Sequence, residues 1–208
     1  MMQTPALASG DLHRRDCWIF DMDGTLTLAV HDFPAIARAL GLPDDEPILE
    51  SLSALPPQRR LALYRRLDEI ELELAEQARV AAGAEDLLRD LAGRGHRLAI
   101  LTRNARSVAL RTLAVCGLSE FFPPERILGR EQAEPKPAPD GIHRLLELCS
   151  AAPGSSVMVG DFLFDLQAGR AAGVATVYVD GSGRFPWRAH ADVSVTSLEH
   201  LCPGNAPI

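Results

Sequence analysis

The segment CWIFDMDGTLT, residues 17–27, constrains this chain more than any other. Trp18, Ile19 and Phe20 read as a buried strand, and Gly24 breaks it. Asp21 is therefore expected at the strand's C-terminal end, where open α/β sheets bind ligands. The alternation Asp21, Met22, Asp23 puts both carboxylates on one side of an extended chain, where like charges raise each other's proton affinity unless a cation lies between them. Taken alone, such a DxD is more simply a turn or a helix N-cap.

The rest of the chain supplies the context. Phe33, Ile36, Ala37 and Leu40 have helical spacing before a stop at Gly41, and a loop with Pro43, Pro47, Pro56 and Pro57 follows. A long charged helix is predicted from about Gln58 to Val80, with Leu61, Tyr64, Leu67, Leu74 and Ala78 as its apolar stripe. Arg65 and Arg66 stand four and three residues before Glu69, at ion-pair spacing. From Gly83 onward strands such as HRLAILT, SSVMVGD and VATVYVD alternate with helices of about ten to fifteen residues, the pattern of right-handed βαβ crossovers. The expected fold is α/β: a Rossmann-like parallel sheet with helices on both faces, and a small all-helical insert after the first strand. The expected boundaries are a mobile leader over 1–15, a core over 16–27 and 81–208, and the insert over 28–80. No GxGxxG follows the first strand, so neither a nicotinamide nor a flavin cofactor is suggested.

A chain of 208 residues is long enough for one good-sized core with a small appendage. Its net charge of -7, with a pI near 5.4, argues against a nucleic-acid partner. Cys17, Cys116, Cys149 and Cys202 have no CxxC or Cys/His spacing. The first three lie in or beside apolar segments, as reduced core residues do. The first 15 residues lack a secretory apolar region, and no stretch approaches the roughly 18 apolar residues of a membrane span. A cytoplasmic location is the expectation.

Three further segments bear on Asp21. HRLAILTRN at 96–104 is a strand ending in Thr102, EPKPAPD at 134–140 isolates Lys136 between prolines, and VMVGDFLFDLQAGRAAG at 157–173 carries Asp161 and Asp165 after another apolar run. With DMDGTLT in front, these four segments in this order resemble the four motifs of the haloacid dehalogenase-like hydrolases, specifically the phosphoglycolate phosphatase-like branch. The superfamily is dominated by phosphatases that pass through an aspartyl-phosphate. The resemblance implies Asp21 as nucleophile, Asp23 as general acid and then base, and Thr102 and Lys136 as donors to the phosphoryl oxygens. It implies metal coordination by Asp21, Asp161 and the Asp23 backbone carbonyl, with Asp165 orienting the shell. Asp23 itself favours phosphate-ester chemistry, since the dehalogenase members lack a carboxylate there. One departure from the family pattern is Phe162, where Ser commonly follows the motif's Asp.

The chemistry of these residue types agrees. Asp21, Asp161 and Asp165 leave excess negative charge where an anionic substrate must bind, which a hard divalent cation resolves; oxygen ligands with room for water and phosphate suit Mg²⁺. The expected activity is a Mg²⁺-dependent phosphatase acting on a small phosphorylated metabolite. The alternatives are a phosphomutase or phosphotransferase of the same superfamily, and a non-catalytic module that has kept the fold. The resemblance also implies that the insert is a cap that selects substrate. Its polar candidates are His31, Asp32, Arg59, Arg60, Arg65 and Arg66, although exposed helix charges are the simpler account of most of them. Neither the particular substrate nor the oligomeric state is written in the sequence.

Overall fold

The computed structural model describes residues 9–202. Residues 1–8 of the expected leader lie outside that range. From Ser9 onward the stretch read as a leader makes contacts with the core. Helix α1 (Ser9–Leu12) puts Leu12, fully buried, among the apolar side chains around Trp18. The Arg15 guanidinium donates to the carbonyls of Gly154 at 2.8 Å and Ser156 at 3.1 Å, and the Trp18 indole donates to the Arg15 carbonyl. One anchoring leucine in a polar stretch gives no period from which such packing could be read.

Among the described residues six strands form a single parallel sheet: β1 (Cys17–Phe20), β2 (Arg97–Leu101), β3 (Ile127–Leu128), β4 (Ser156–Gly160), β5 (Ala175–Val179) and β6 (Val193–Val195). Their order is β3-β2-β1-β4-β5-β6, that of the doubly wound α/β fold. Every side chain of β1 is buried, because helices cover both faces of the sheet. Trp18 and Phe20 pack on the face that meets Leu87, Leu88 and Leu91 of one helix and Leu113 of another, while Cys17 and Ile19 face Ile142, Leu145 and Ala168. All four cysteines are free, two of them buried.

The segment between β1 and β2 begins with three helices, α2 (Phe33–Ala39), α3 (Ile48–Ser53) and α4 (Pro57–Ala75). The Asp32 carboxylate caps α2 by accepting from the Ala35 amide at 2.9 Å, with Pro34 in the first turn. Ile36, Leu40, Leu49, Leu52 and Leu67 gather into an apolar cluster of their own, separate from the two layers that flank the sheet. Two details differ from the sequence reading. The proline-containing loop holds α3, which six residues are too few to announce by periodicity. And α4 ends at Ala75 rather than Val80, because the chain there turns extended and pairs with the outgoing connection: Leu28 donates to the Arg79 carbonyl and Ala81 to the Leu26 carbonyl, both at 2.9 Å. The insert thus hangs from the sheet by two adjacent antiparallel connections.

The remaining helices are α5 (Ala84–Gly93), α6 (Arg106–Val115), α7 (Asp140–Leu148) and α8 (Leu163–Ala171). α5 and α6 cover one face of the sheet, α7 and α8 the other. Among the described residues no helix is long and apolar enough to cross a membrane.

Candidate active site

The register of the sheet assembles the site. Phe20 lies opposite Val159, and the Asp21 amide donates to the Val159 carbonyl at 2.9 Å, so Asp21 and Asp161 emerge side by side from the ends of neighbouring strands. Two glycines make room for the carboxylates. Gly24 turns the chain at φ +84°, and a Cβ there would come within 2.3 Å of Asp161 Oδ2; a Cβ on Gly160 would come equally close to the Asp165 side chain. Asp165 sits in the first turn of α8, where its carboxylate accepts from the Phe162 amide at 3.0 Å. Asp21, Asp161 and Asp165 each bring a carboxylate oxygen within 4.8 Å of the others.

Lys136 enters this group from the loop before α7. Its ammonium lies 2.5 Å from Asp21 Oδ1 and 2.6 Å from Asp165 Oδ1, and donates to the Leu101 carbonyl at 2.7 Å. Burial alone would lower its proton affinity, but Asp165 and Asp21 more than offset that and raise it. One cation among three carboxylates leaves the group short of positive charge. Burial, added to by Asp165 and Asp23 and opposed by Lys136, pushes Asp21 up to about 7. Burial, with Asp21 and Asp165 beside it, pushes Asp161 up to about 8. An all-oxygen donor set with unbalanced negative charge fits a hard divalent cation.

Asp23 stands apart from that cluster. The Asn104 amide donates to its Oδ2 at 2.6 Å, Thr27 Oγ1 lies 3.5 Å from its Oδ1, and His31 Nδ1 is 3.8 Å away. Burial raises its proton affinity, against the pull of His31 and Asn104. Thr102, one residue past the end of β2, is buried, and its hydroxyl oxygen accepts from the Asn104 backbone N–H at 3.1 Å. The sequence reading brought forward Asp21, Asp23, Thr102, Lys136, Asp161 and Asp165, and all six meet at this edge of the sheet. It missed Asn104, whose only signal was a second polar residue just beyond the strand that carries Thr102.

Above the carboxylates lies a cavity of about 280 Å³ between the sheet edge and the insert. Its insert side includes Phe33, Ile48, Leu49 and Glu71, none of which the sequence reading offered as a substrate-selecting residue. Arg59, Arg60, Arg65 and Arg66 do not line it. Arg60 reaches the Ser53 carbonyl, Arg66 pairs with Glu69 at 2.8 Å, and Arg59 and Arg65 are exposed. Asp32 is spent on its helix cap, and the His31 ring stacks on Phe33. The insert is tied to the core instead by ion pairs from the core side: Arg103 to Glu50 at 2.6 Å, and buried Arg130 to Glu71 at 2.9 Å and to Asp68.

Comparison with known proteins agrees with this geometry. The family model described as haloacid dehalogenase-like hydrolase matches residues 31–179, a span that holds Thr102, Lys136, Asp161 and Asp165. An uncharacterized hydrolase of Saccharomyces cerevisiae is 31% identical over 193 residues, covering 88% of this chain and 87% of its own. A plasmid-borne phosphoglycolate phosphatase of Cupriavidus necator is 35% identical over 126 residues, covering 59% of this chain and 54% of its own. Among solved structures, a hydrolase from Pseudomonas syringae shares the fold with a TM-score of 0.74 at 23% identity, over 89% of this chain and 95% of that one. A parallel sheet of doubly wound order with acid residues converging at its carboxyl edge, together with these matches, gives the assignment: the chain belongs to the haloacid dehalogenase-like hydrolase family.

Proposed function

We propose that the protein is a Mg²⁺-dependent phosphatase that hydrolyses a small phosphomonoester through an aspartyl-phosphate on Asp21, with the insert over 28–80 as a cap on the site. The observation that carries this reading is the separation of two carboxylates two residues apart: Asp21 contacts the Lys136 ammonium within the acid cluster, whereas Asp23 is held outside it by Asn104. In this reading the first is the nucleophile, with the Lys136 ammonium opposing the effect of burial and favouring its ionised form. The other is free to carry a proton.

Asp21 attacks phosphorus in line to form an acyl phosphate, while Asp23 protonates the leaving alkoxide and later takes a proton from the attacking water. Asn104, by donating to Asp23 Oδ2, fixes the carboxyl for both proton transfers. Lys136 and the Thr102 hydroxyl donate to the nonbridging phosphoryl oxygens, so that developing charge meets fixed donors. Asp21, Asp161 and the Asp23 backbone carbonyl would hold a magnesium ion, with Asp165 orienting its shell, and the ion when bound would supply the charge neutralisation that lets an anion approach these carboxylates.

The test is turnover of p-nitrophenyl phosphate with magnesium, followed by acid quench of the protein with labelled substrate. A hydroxylamine-sensitive phosphate on Asp21 is expected. Asp21→Asn should lose both the label and turnover, and retention of more than about a hundredth of the activity would remove Asp21 from the role of nucleophile.

A further inference from the structure

We infer that the leaving group of the substrate is an uncharged, apolar group of ring size, and that the site discriminates against esters bearing a second anion such as a carboxylate. This rests on the phosphatase reading above. Three observations carry it.

The first is the wall. Phe33, Ile48 and Leu49 from the insert face Phe162 and Phe164 from the core across the same cavity. Phe33 and Phe162 are 58% and 44% exposed, large apolar surfaces left open at a concave site rather than scattered singly over the protein. The second is that these rings are held in place. Phe162 packs edge-on against Phe164 at 5.0 Å and Trp187 at 4.6 Å between centroids, and Phe33 stacks on His31 at 5.5 Å with 13° between planes. Preset aromatic faces on both sides of an opening bind a flat apolar group with little ordering cost.

The third is the charge on the walls. Among the described residues that line the cavity, the cations are Lys136 and Arg103. Lys136 is held by Asp21 and Asp165. Arg103 donates to Glu50 and to the Lys136 carbonyl, with its guanidinium 4.7 Å over the Phe164 ring. Asp44, Glu46 and Glu71 also line the cavity. Asp44 is paired with Arg38 and Glu71 with Arg130, whereas among the described residues Glu46 accepts only from the Ser51 hydroxyl at 3.2 Å. A carboxylate on the leaving group would lose its hydration against aromatic carbon and meet Glu46 in place of a counter-ion. A neutral ring has no such penalty and gains the contact.

The experiment compares benzyl phosphate, methyl phosphate and 2-phosphoglycolate, whose leaving alkoxides have similar basicity, on the magnesium-loaded protein. The kcat/KM for benzyl phosphate should exceed that for methyl phosphate by about tenfold or more, and that for 2-phosphoglycolate should fall below methyl phosphate. Phe33→Ala, at an exposed position, and Phe162→Ser should each lower the benzyl-to-methyl ratio severalfold, and Glu46→Lys should raise 2-phosphoglycolate relative to methyl phosphate. Calorimetry with benzylphosphonate and phosphonoacetate reads the same preference without turnover, the benzyl compound binding about tenfold tighter. If no phosphomonoester is hydrolysed but the phosphonate preference holds, the phosphatase reading has failed and the pocket assignment stands. Equal or better turnover of 2-phosphoglycolate, or phosphonoacetate binding as tightly as benzylphosphonate, overturns the inference.

Discussion

At the scale of single residues, the difference between Asp21 and Asp23 is a difference in partners. The Asp23 carboxylate faces an amide and a hydroxyl rather than the ammonium, so its proton is available to a leaving group. Asp23→Asn should therefore cost little in the first step with p-nitrophenyl phosphate, whose leaving group is already a weak base. On an alkyl phosphate it should cost on the order of a hundredfold or more. Steady-state rates on the two ester types decide this, since an equal loss on both would deny Asp23 the role of acid. Lys136→Ala should raise KM and lower kcat together, because the ammonium acts on bound phosphate and on the transition state alike; unchanged kinetics would make Lys136 a structural loop residue. The residues in these roles were legible because each occupies a position that sequence marks: the end of an apolar run, or a lone lysine between prolines. Asn104 was not, since an amide just past a strand looks like any loop residue until the fold brings it 2.6 Å from Asp23. The insert arginines, for which exposed helix charge was the simpler account, lie outside the cavity lining. A run of charges on a helix says that one face is wet without saying which residues turn toward the core.

At the scale of elements, the insert is fastened by charges that lie far apart in the chain. Arg130 is 4% exposed in its side chain and bonds Glu71, at 7%, across 59 positions of sequence, while also donating to the Arg103 carbonyl. Burial raises the Glu71 carboxyl to about 7, with Arg130 pulling the other way. Removing Arg130 takes away that pull and leaves a buried carboxylate uncompensated, a change worth about 3 kcal/mol. Glu71 can escape part of this by taking a proton. The loss from Arg130→Ala should thus be larger at pH 8 than at pH 6, as read from urea midpoints at the two values. A loss independent of pH would mean that Arg130 contributes by packing against Tyr64 rather than by charge. Arg111 and Glu76 make a similar contact at the surface, where solvent screens it, and Arg111→Ala should leave the midpoint almost unmoved. None of these ties could be read from the sequence, because periodicity reports which residues share a face of one helix and nothing about its partner. The alternation of strands and helices over 83–201 was legible because each strand is a nearly unbroken apolar run, as burial on both faces requires.

At the scale of the whole molecule, the carboxylate cluster is also a local source of instability. Without metal, Asp21 at about 7 and Asp161 at about 8 hold protons far more tightly when folded than at the ordinary carboxyl value of 3.8. Between about pH 4 and pH 8 the folded protein therefore binds more protons than the unfolded chain, and stability falls as pH rises through that window. Asp161→Asn removes one of the charges that cause this. In EDTA at pH 8 the variant should melt above wild type, and the gap should narrow at pH 5.5, where the native carboxyls are protonated; Glu71 also titrates in this range but is present in both proteins. Magnesium at a hundred times its dissociation constant should stabilise wild type by about 2.7 kcal/mol, or on the order of 5–10 °C in Tm for a chain of this size, because the ion binds the folded arrangement. The variant should respond little and should be inactive. Melting curves of both proteins, with EDTA and with magnesium at the two pH values, carry the comparison. If Asp161→Asn melts below wild type in EDTA at pH 8, the contacts of Asp161 with Thr25 and the Gly24 turn outweigh its repulsion from Asp21 and Asp165, and the carboxylate cluster is a structural support rather than a strained metal site.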